Sequence, residues 1–303
     1  MQTIYAMHQS GSDQLEKEEK FLFESIESIQ DLYLIVMSAL VEIRKKEEDF
    51  LEKAAKKHLA TEKDLKPNKK FISNRILMAL EENNSLAIAL EKRKINNWNQ
   101  NDDLILILLE NIKKSALYLN YLADKTNSFE HDKKFILDLF TELIAANEKL
   151  YDYLEDYKLT WVDDIPLVNT MIVKQIKQME EGVANTFDVL PLYKDVEDKD
   201  FARDLFRRTL LNEEELAKEY IDRTPNWDPE RISEVDTIML KMAICEFLRF
   251  PSIPVKVTIN EYLEIAKEYA TPKSSIFING VLDNLIKDFQ KTNKINKTGR
   301  GLM

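Results

Sequence analysis

Thr271-Pro272-Lys273-Ser274-Ser275 is the segment of this chain best suited to hold an anion. Thr271 supplies an N-cap hydroxyl and Pro272 the fixed φ of a first helical residue. Lys273, Ser274 and Ser275 then fall in a first turn whose amide N–H groups point outward without intrahelical acceptors. Such a turn attracts phosphate. Trp161, Asp163 and Asp164 offer a pair of carboxylates beside an aromatic ring. Adjacent Asp residues before a helix serve equally as partners of its dipole, and no histidine or second carboxylate cluster is tied to them. His8, His58 and His131 are far apart, and neighbours such as Lys56, Lys57, Lys133 and Lys134 make them read as surface positions. Cys245 stands alone, which excludes an intramolecular disulfide and a Cys-based zinc cluster, and it reads as a core residue in a reducing compartment. The sequence contains no Gly-x-Gly-x-x-Gly, Walker loop, Gly-x-Ser-x-Gly or metal-spaced histidine pair. No catalytic residue, metal ligand or cofactor is therefore expected.

The elements that must position these residues are helices. With 5 Gly and 8 Pro in 303 residues, abundant Leu, Ile, Glu, Lys and Ala, and no alternating β-branched runs, the chain reads as all-α. No run of eighteen apolar residues occurs, and the first residues lack a basic stretch leading into an apolar one. A cytoplasmic protein without a membrane span is expected. The net charge of −11 is unevenly distributed. Residues 1–199 hold 27 Lys and Arg against 37 Asp and Glu, and residues 200–303 hold 16 against 17. Lys287, Lys291, Lys294, Lys297 and Arg300 give the C-terminus a local positive excess that reads either as a phosphate contact or as a frayed, soluble tail.

Apolar spacing predicts one long helix, or two in series, from Leu15 to about Leu59, then a polar break over residues 61–70. Helical patterns follow over 71–89, 103–122, 132–155 and 167–181, with a loop at Asn96–Asn101 and a linker over 183–199. Four further helices are predicted at about 200–222, 233–249, 255–270 and 273–290. Ser233-x-x-Asp236 reads as a capping box with Asp in the Glu position, and Trp227 with Pro225 and Pro229 as the corner before it. Phe277, Val281, Leu285 and Phe289 form a stripe that seals a core.

This last stretch carries a resemblance. Ile259-Asn260-Glu261, Ala266-Lys267 and the run Phe277-Ile278-Asn279-Gly280-Val281-Leu282-Asp283 closely resemble the end of the NusB family of transcription antitermination factors. Arg203-Asp204-Leu205, Glu234-Val235-Asp236 and Met242-Ala243-Ile244-Cys245-Glu246-Phe247 match the preceding helices in order and spacing. Gln2-Thr3-Ile4-Tyr5-Ala6 resembles the family's first-helix segment, although the family's Arg-rich segment before it has no counterpart and the first Lys or Arg here is Lys17. The chain then divides into an enlarged acidic helical region (1–199, its first nine residues resembling the first helix), a NusB-like helical module (200–290) and a basic flexible tail (291–303). The fold implied is a helical bundle, a NusB-like C-terminal module with an extended N-terminal helical region.

The resemblance implies binding of single-stranded leader RNA together with the small-subunit ribosomal protein also called NusE. The pair would act on the RNA polymerase elongation complex, notably on ribosomal RNA operons. It further implies Gln2, Tyr5, Lys273, Ser274, Ser275, Phe277 and Asn279 as RNA-binding positions. Tyr5 and Phe277 would offer aromatic faces to bases, and Lys273, Ser274 and Ser275 would meet phosphates. Phe277 fits a core position equally well, and Asn279-Gly280 also suits close helix packing. Glu234, Lys241, Glu246 and Arg249 are candidates for the protein contact. The alternative is a non-catalytic helical scaffold without RNA binding, in which the large acidic region is the working part.

Overall fold

The computed structural model describes residues 1–58, 60–181, 188–221 and 232–302. The corner formed by Pro225, Trp227 and Pro229, and the first part of the expected linker, lie outside the described residues. Every regular element among those described is helical. The chain divides into two compact units, Glu24–Leu192 and the pair of segments Met1–Phe23 and Tyr193–Met303.

The chain opens with α1 (Gln2–Ser10) and α2 (Leu15–Ala55). No Gly or Pro interrupts the 41 residues of α2, so it forms one helix rather than two. Its middle, Leu32 to Leu40, is buried on every side, as expected of a helix at the centre of a unit. After it come α3 (Glu62–Leu65), α4 (Arg75–Glu81), α5 (Asn84–Arg93), α6 (Asn97–Gln100), α7 (Asp102–Lys114) and α8 (Ala116–Ala123), then α9 (Phe129–Leu139), α10 (Glu148–Tyr157) and α11 (Ile165–Gln178). The longer helices expected here are broken. Asn74 caps α4, Asn83 α5, Ser115 α8, Ser128 α9 and Asn147 α10, each accepting a first-turn amide with its side-chain oxygen. A π-helical stretch, Phe140–Ile144, also separates α9 from α10. Within the expected Asn-rich loop Trp98 is buried, its indole donating to Ile35 O and Ser38 Oγ at 3.0 Å each. Trp161 is buried as well and donates to Ser28 Oγ at 3.1 Å.

The second unit contains α12 (Val196–Leu211), α13 (Glu213–Ile221), α14 (Glu234–Arg249), α15 (Val255–Tyr269) and α16 (Pro272–Lys291). Residues 200–222 were expected as one helix; the break falls at Asn212, whose side-chain amide donates to Arg208 O at 2.7 Å. α14 lies at the centre, with Ile238 to Leu240 and Met242 to Phe247 buried. The stripe Phe277, Val281, Leu285 and Phe289 closes this core as the spacing predicted. Ile4 and Met7 are buried in the same core, with Leu15 and Leu22 packed against it. Packing therefore places the division near Phe23 and Tyr193 rather than at residue 199, because the first apolar residues belong with the later helices.

The tail expected to be flexible is docked through residue 302. Lys294 pairs with Glu219, Lys297 Nζ donates to Phe250 O at 2.9 Å, and the Thr298 amide donates to Pro251 O at 2.9 Å. Gly301 lies so close to the Pro251 carbonyl that a Cβ there would collide with it. Two of the five tail cations thus serve the fold and not a ligand.

Candidate nucleic-acid interface

The first turn of α14 organises both ends of the candidate site. Ser233 caps this helix by accepting the Asp236 amide at 3.1 Å. Glu234, next in sequence, accepts from Gln9 and lies 2.9 Å from His8 Nδ1, while His8 Nε2 is 2.8 Å from Glu213 Oε1. Glu213 also receives Lys241 Nζ at 2.9 Å. Together with burial of Ile4 and Met7 these contacts fix α1 on α13 and α14. His8, expected at an ordinary surface position, is instead a half-buried tie between helices.

Fixing α1 by Ile4 and Met7 turns Gln2 and Tyr5 outward. Gln2 is exposed and Tyr5 is 38% exposed, its hydroxyl without a hydrogen bond among the described residues. Tyr5 thus keeps a free aromatic surface on a rigid base.

At the other end, Thr271 caps α16 as predicted, its hydroxyl oxygen accepting the Ser274 amide at 3.3 Å. The Ser274 amide, expected to point outward unpaired, is therefore occupied. The Ser274 side chain is buried and donates to Asp236 Oδ2 at 3.0 Å. Asp236 was read as the second half of a capping box, yet its carboxylate faces α16. A carboxylate at this helix start already meets the positive end of the dipole, which weakens the turn as a phosphate site. Ser275 donates to Pro272 O at 3.1 Å. Lys273 is exposed and makes no ion pair or hydrogen bond among the described residues, so it is the donor this turn leaves available.

Phe277 is 4% exposed and sits in the core, so it presents no open ring face to a base. Asn279 is half-buried, and Ile276 on the same helix is 73% exposed. A Cβ on Gly280 would meet nothing within 4 Å, so the Asn-Gly pair does not serve close packing. Tyr5 and Lys273 are the groups left open, both held through the first turn of α14. The sequence reading missed His8, Glu213 and Asp236 as positioning residues, since no short-range spacing links His8 to Glu213, 205 positions on, or Asp236 to Ser274, 38 positions on.

The protein-contact candidates separate likewise. Arg249 is exposed and Glu234 half-buried, but Lys241 is bound to Glu213 and Glu246 is only 6% exposed. Burial raises the Glu246 carboxyl above its usual range, while the Thr258 hydroxyl beside it opposes the shift. No group of three or more His, Cys, Asp or Glu among the described residues is arranged to hold a metal ion, and no described helix is long and apolar enough to cross a membrane.

The NusB family matches residues 168–287. The transcription antitermination protein NusB of Salinibacter ruber is 45% identical over 115 residues, 38% of this chain and 71% of that protein. The protein of the same name from Chloroherpeton thalassium is 35% identical over 127 residues, 42% of this chain and 60% of the relative. That of Clostridium kluyveri is 45% identical over 91 residues, 30% of this chain and 58% of the relative. No solved structure shows a significant match. The family match takes in α12 to α15 and most of α16, and so includes the helices that anchor α1 and carry Lys273, and over two thirds of the Salinibacter protein is covered: the chain belongs to the NusB family of transcription antitermination proteins.

Proposed function

We propose that this protein binds single-stranded leader RNA together with the small-subunit ribosomal protein NusE and keeps the RNA polymerase elongation complex from terminating early, notably on ribosomal RNA operons. Proteins of this family are not enzymes, so the work is recognition, in the cytoplasm where transcription occurs. The observation that carries the reading is the 45% identity to a protein named for antitermination, across the helices on which α1 is anchored. In this reading Tyr5 stacks on an unpaired base, Gln2 donates to a base edge, and Lys273 meets a phosphate, with Ser275 and Asn279 beside it. Ser274 and Phe277 support these positions from inside.

A scaffold role is favoured by different observations: Ser274 and Phe277 are turned inward, and residues 1–199 carry the acidic excess. Fluorescence anisotropy of a labelled leader RNA separates the two. Binding that tightens when the ribosomal protein is added and falls with salt, log K declining by about 0.7 per phosphate contact per log unit of salt, supports RNA recognition. If the pair binds no better than the ribosomal protein alone while the two proteins still associate, the scaffold role replaces it.

A further inference from the structure

A cavity of about 410 Å³ in the Glu24–Leu192 unit lies outside the family match. Its walls bring Lys70, Ser73, Arg75 and Lys125 together with the carboxylates of Asp124 and Asp132. Both carboxylates are already served by internal donors. Asp132 accepts the Tyr121 hydroxyl at 2.6 Å and the Arg75 backbone amide at 3.2 Å. Asp124 accepts the Thr126 amide at 2.8 Å, and its other oxygen is 3.5 Å from His131 Nε2.

The cationic side is less fully used. Arg75 gives Nη2 to Asn127 Oδ1 at 2.9 Å, and its Nε lies 3.8 Å from the exposed Glu181. Its Nη1, 3.6 Å from Asp132, is buried and has no hydrogen bond among the described residues. That nitrogen has lost its water without gaining an acceptor. Lys125 has no ion pair, and neither it nor the Ser73 hydroxyl makes a hydrogen bond among the described residues. Lys70 donates to the Asp124 carbonyl at 2.6 Å and lies 4.4 Å from the Tyr121 ring centre, which fixes a third positive charge in the wall. The volume is in the range of small-ligand sites.

We propose that this cavity binds a phosphate group, free or as a small monoester. Lys125 and Ser73 donate to the oxygens, and Lys70 and Arg75 add their charge. Three positive charges around one cavity suit a dianion better than a singly charged carboxylate. The donors meet in one cavity rather than along a stripe, and the net charge of −10 over residues 1–199 opposes a polyanion, so a small ligand is favoured over RNA. This inference is independent of the antitermination reading.

The test is isothermal titration calorimetry of the full chain with inorganic phosphate, adenosine monophosphate and adenosine. One saturable site is expected for at least one of the two phosphate probes and none for adenosine, and the tighter of the two distinguishes a free phosphate from an ester. Lys125→Glu is expected to weaken that binding at least tenfold with an unchanged circular dichroism spectrum, because Lys125 is exposed and without partners. Ser73→Asp, at a separate point of the wall, is expected to act the same way. No saturable binding of either phosphate probe, or equal binding in wild type and both variants, overturns the proposal. So does binding of a short RNA that Lys125→Glu weakens while both small probes fail to bind.

Discussion

Tyr5 and Phe277 are both aromatic residues of the family pattern, and their surroundings give them opposite expected behaviour. Phe277→Ala removes a buried ring and is expected to cost about 3–5 kcal/mol in urea unfolding. Tyr5→Ala is expected to change stability by less than about 1 kcal/mol while weakening RNA binding by about 1–3 kcal/mol in anisotropy titrations, the range of one base stack. Loss of stability without loss of RNA affinity in Tyr5→Ala would remove that residue from the interface. Asp164 carries a pH signature of its own. Burial, reinforced by Asp163 and opposed by Lys158, raises its carboxyl from 3.8 to about 6. The folded chain then holds this proton more tightly than the unfolded chain, so the contribution of Asp164 to stability falls as pH rises from about 3.8 to 6. Asp164→Asn is expected to flatten that slope and to raise stability at pH 7 by about 1–2 kcal/mol, the pKa displacement being discounted for partial exposure. Thermal melts across pH 3–8 check it. Thr271 as a cap was legible from one residue and its neighbours. The inward turn of Ser274 was not, because its partner Asp236 is 38 positions away.

Helices with an uninterrupted apolar period were legible, and those broken by polar caps were not. α2 and α16 follow the predicted stripes because nothing inside them competes for backbone amides. Asn74 was read as helix interior because Ile72, Ile76, Leu77 and Leu80 keep the spacing across it. Its side chain instead caps α4 and donates to the Tyr121 hydroxyl at 3.1 Å and to Asp132 O at 3.2 Å, a long-range bond that local spacing does not encode. Gly280 in α16 gives a prediction of the opposite sign to most substitutions. With nothing within 4 Å of an added Cβ, Gly280→Ala is expected to raise stability by about 0.5–1 kcal/mol through helix propensity and a less flexible unfolded chain. A lower melting temperature would mean that the glycine is needed in α16 for a reason other than space.

For the molecule as a whole, the family module was legible from its motifs, while the extent of the region enclosed by α1 and α12 was legible only as acidic helix. Its separate core, from Leu32 to Met179, gives it the means to fold alone. A fragment of residues 24–192 is expected to show a single cooperative thermal transition, and a broad, non-cooperative melt would refute this. The contacts of His8 also set an order of events during synthesis. Its partners Glu213 and Glu234 follow it by 205 and 226 residues. At ribosomal rates of about 5–20 residues per second, they are made roughly 10–45 s later. A nine-residue helix has little stability of its own over such an interval. The Glu24–Leu192 stretch is meanwhile synthesised and free to fold, so α1 waits as an open nascent segment, and assembly of the antitermination module follows the folding of the stretch between its parts.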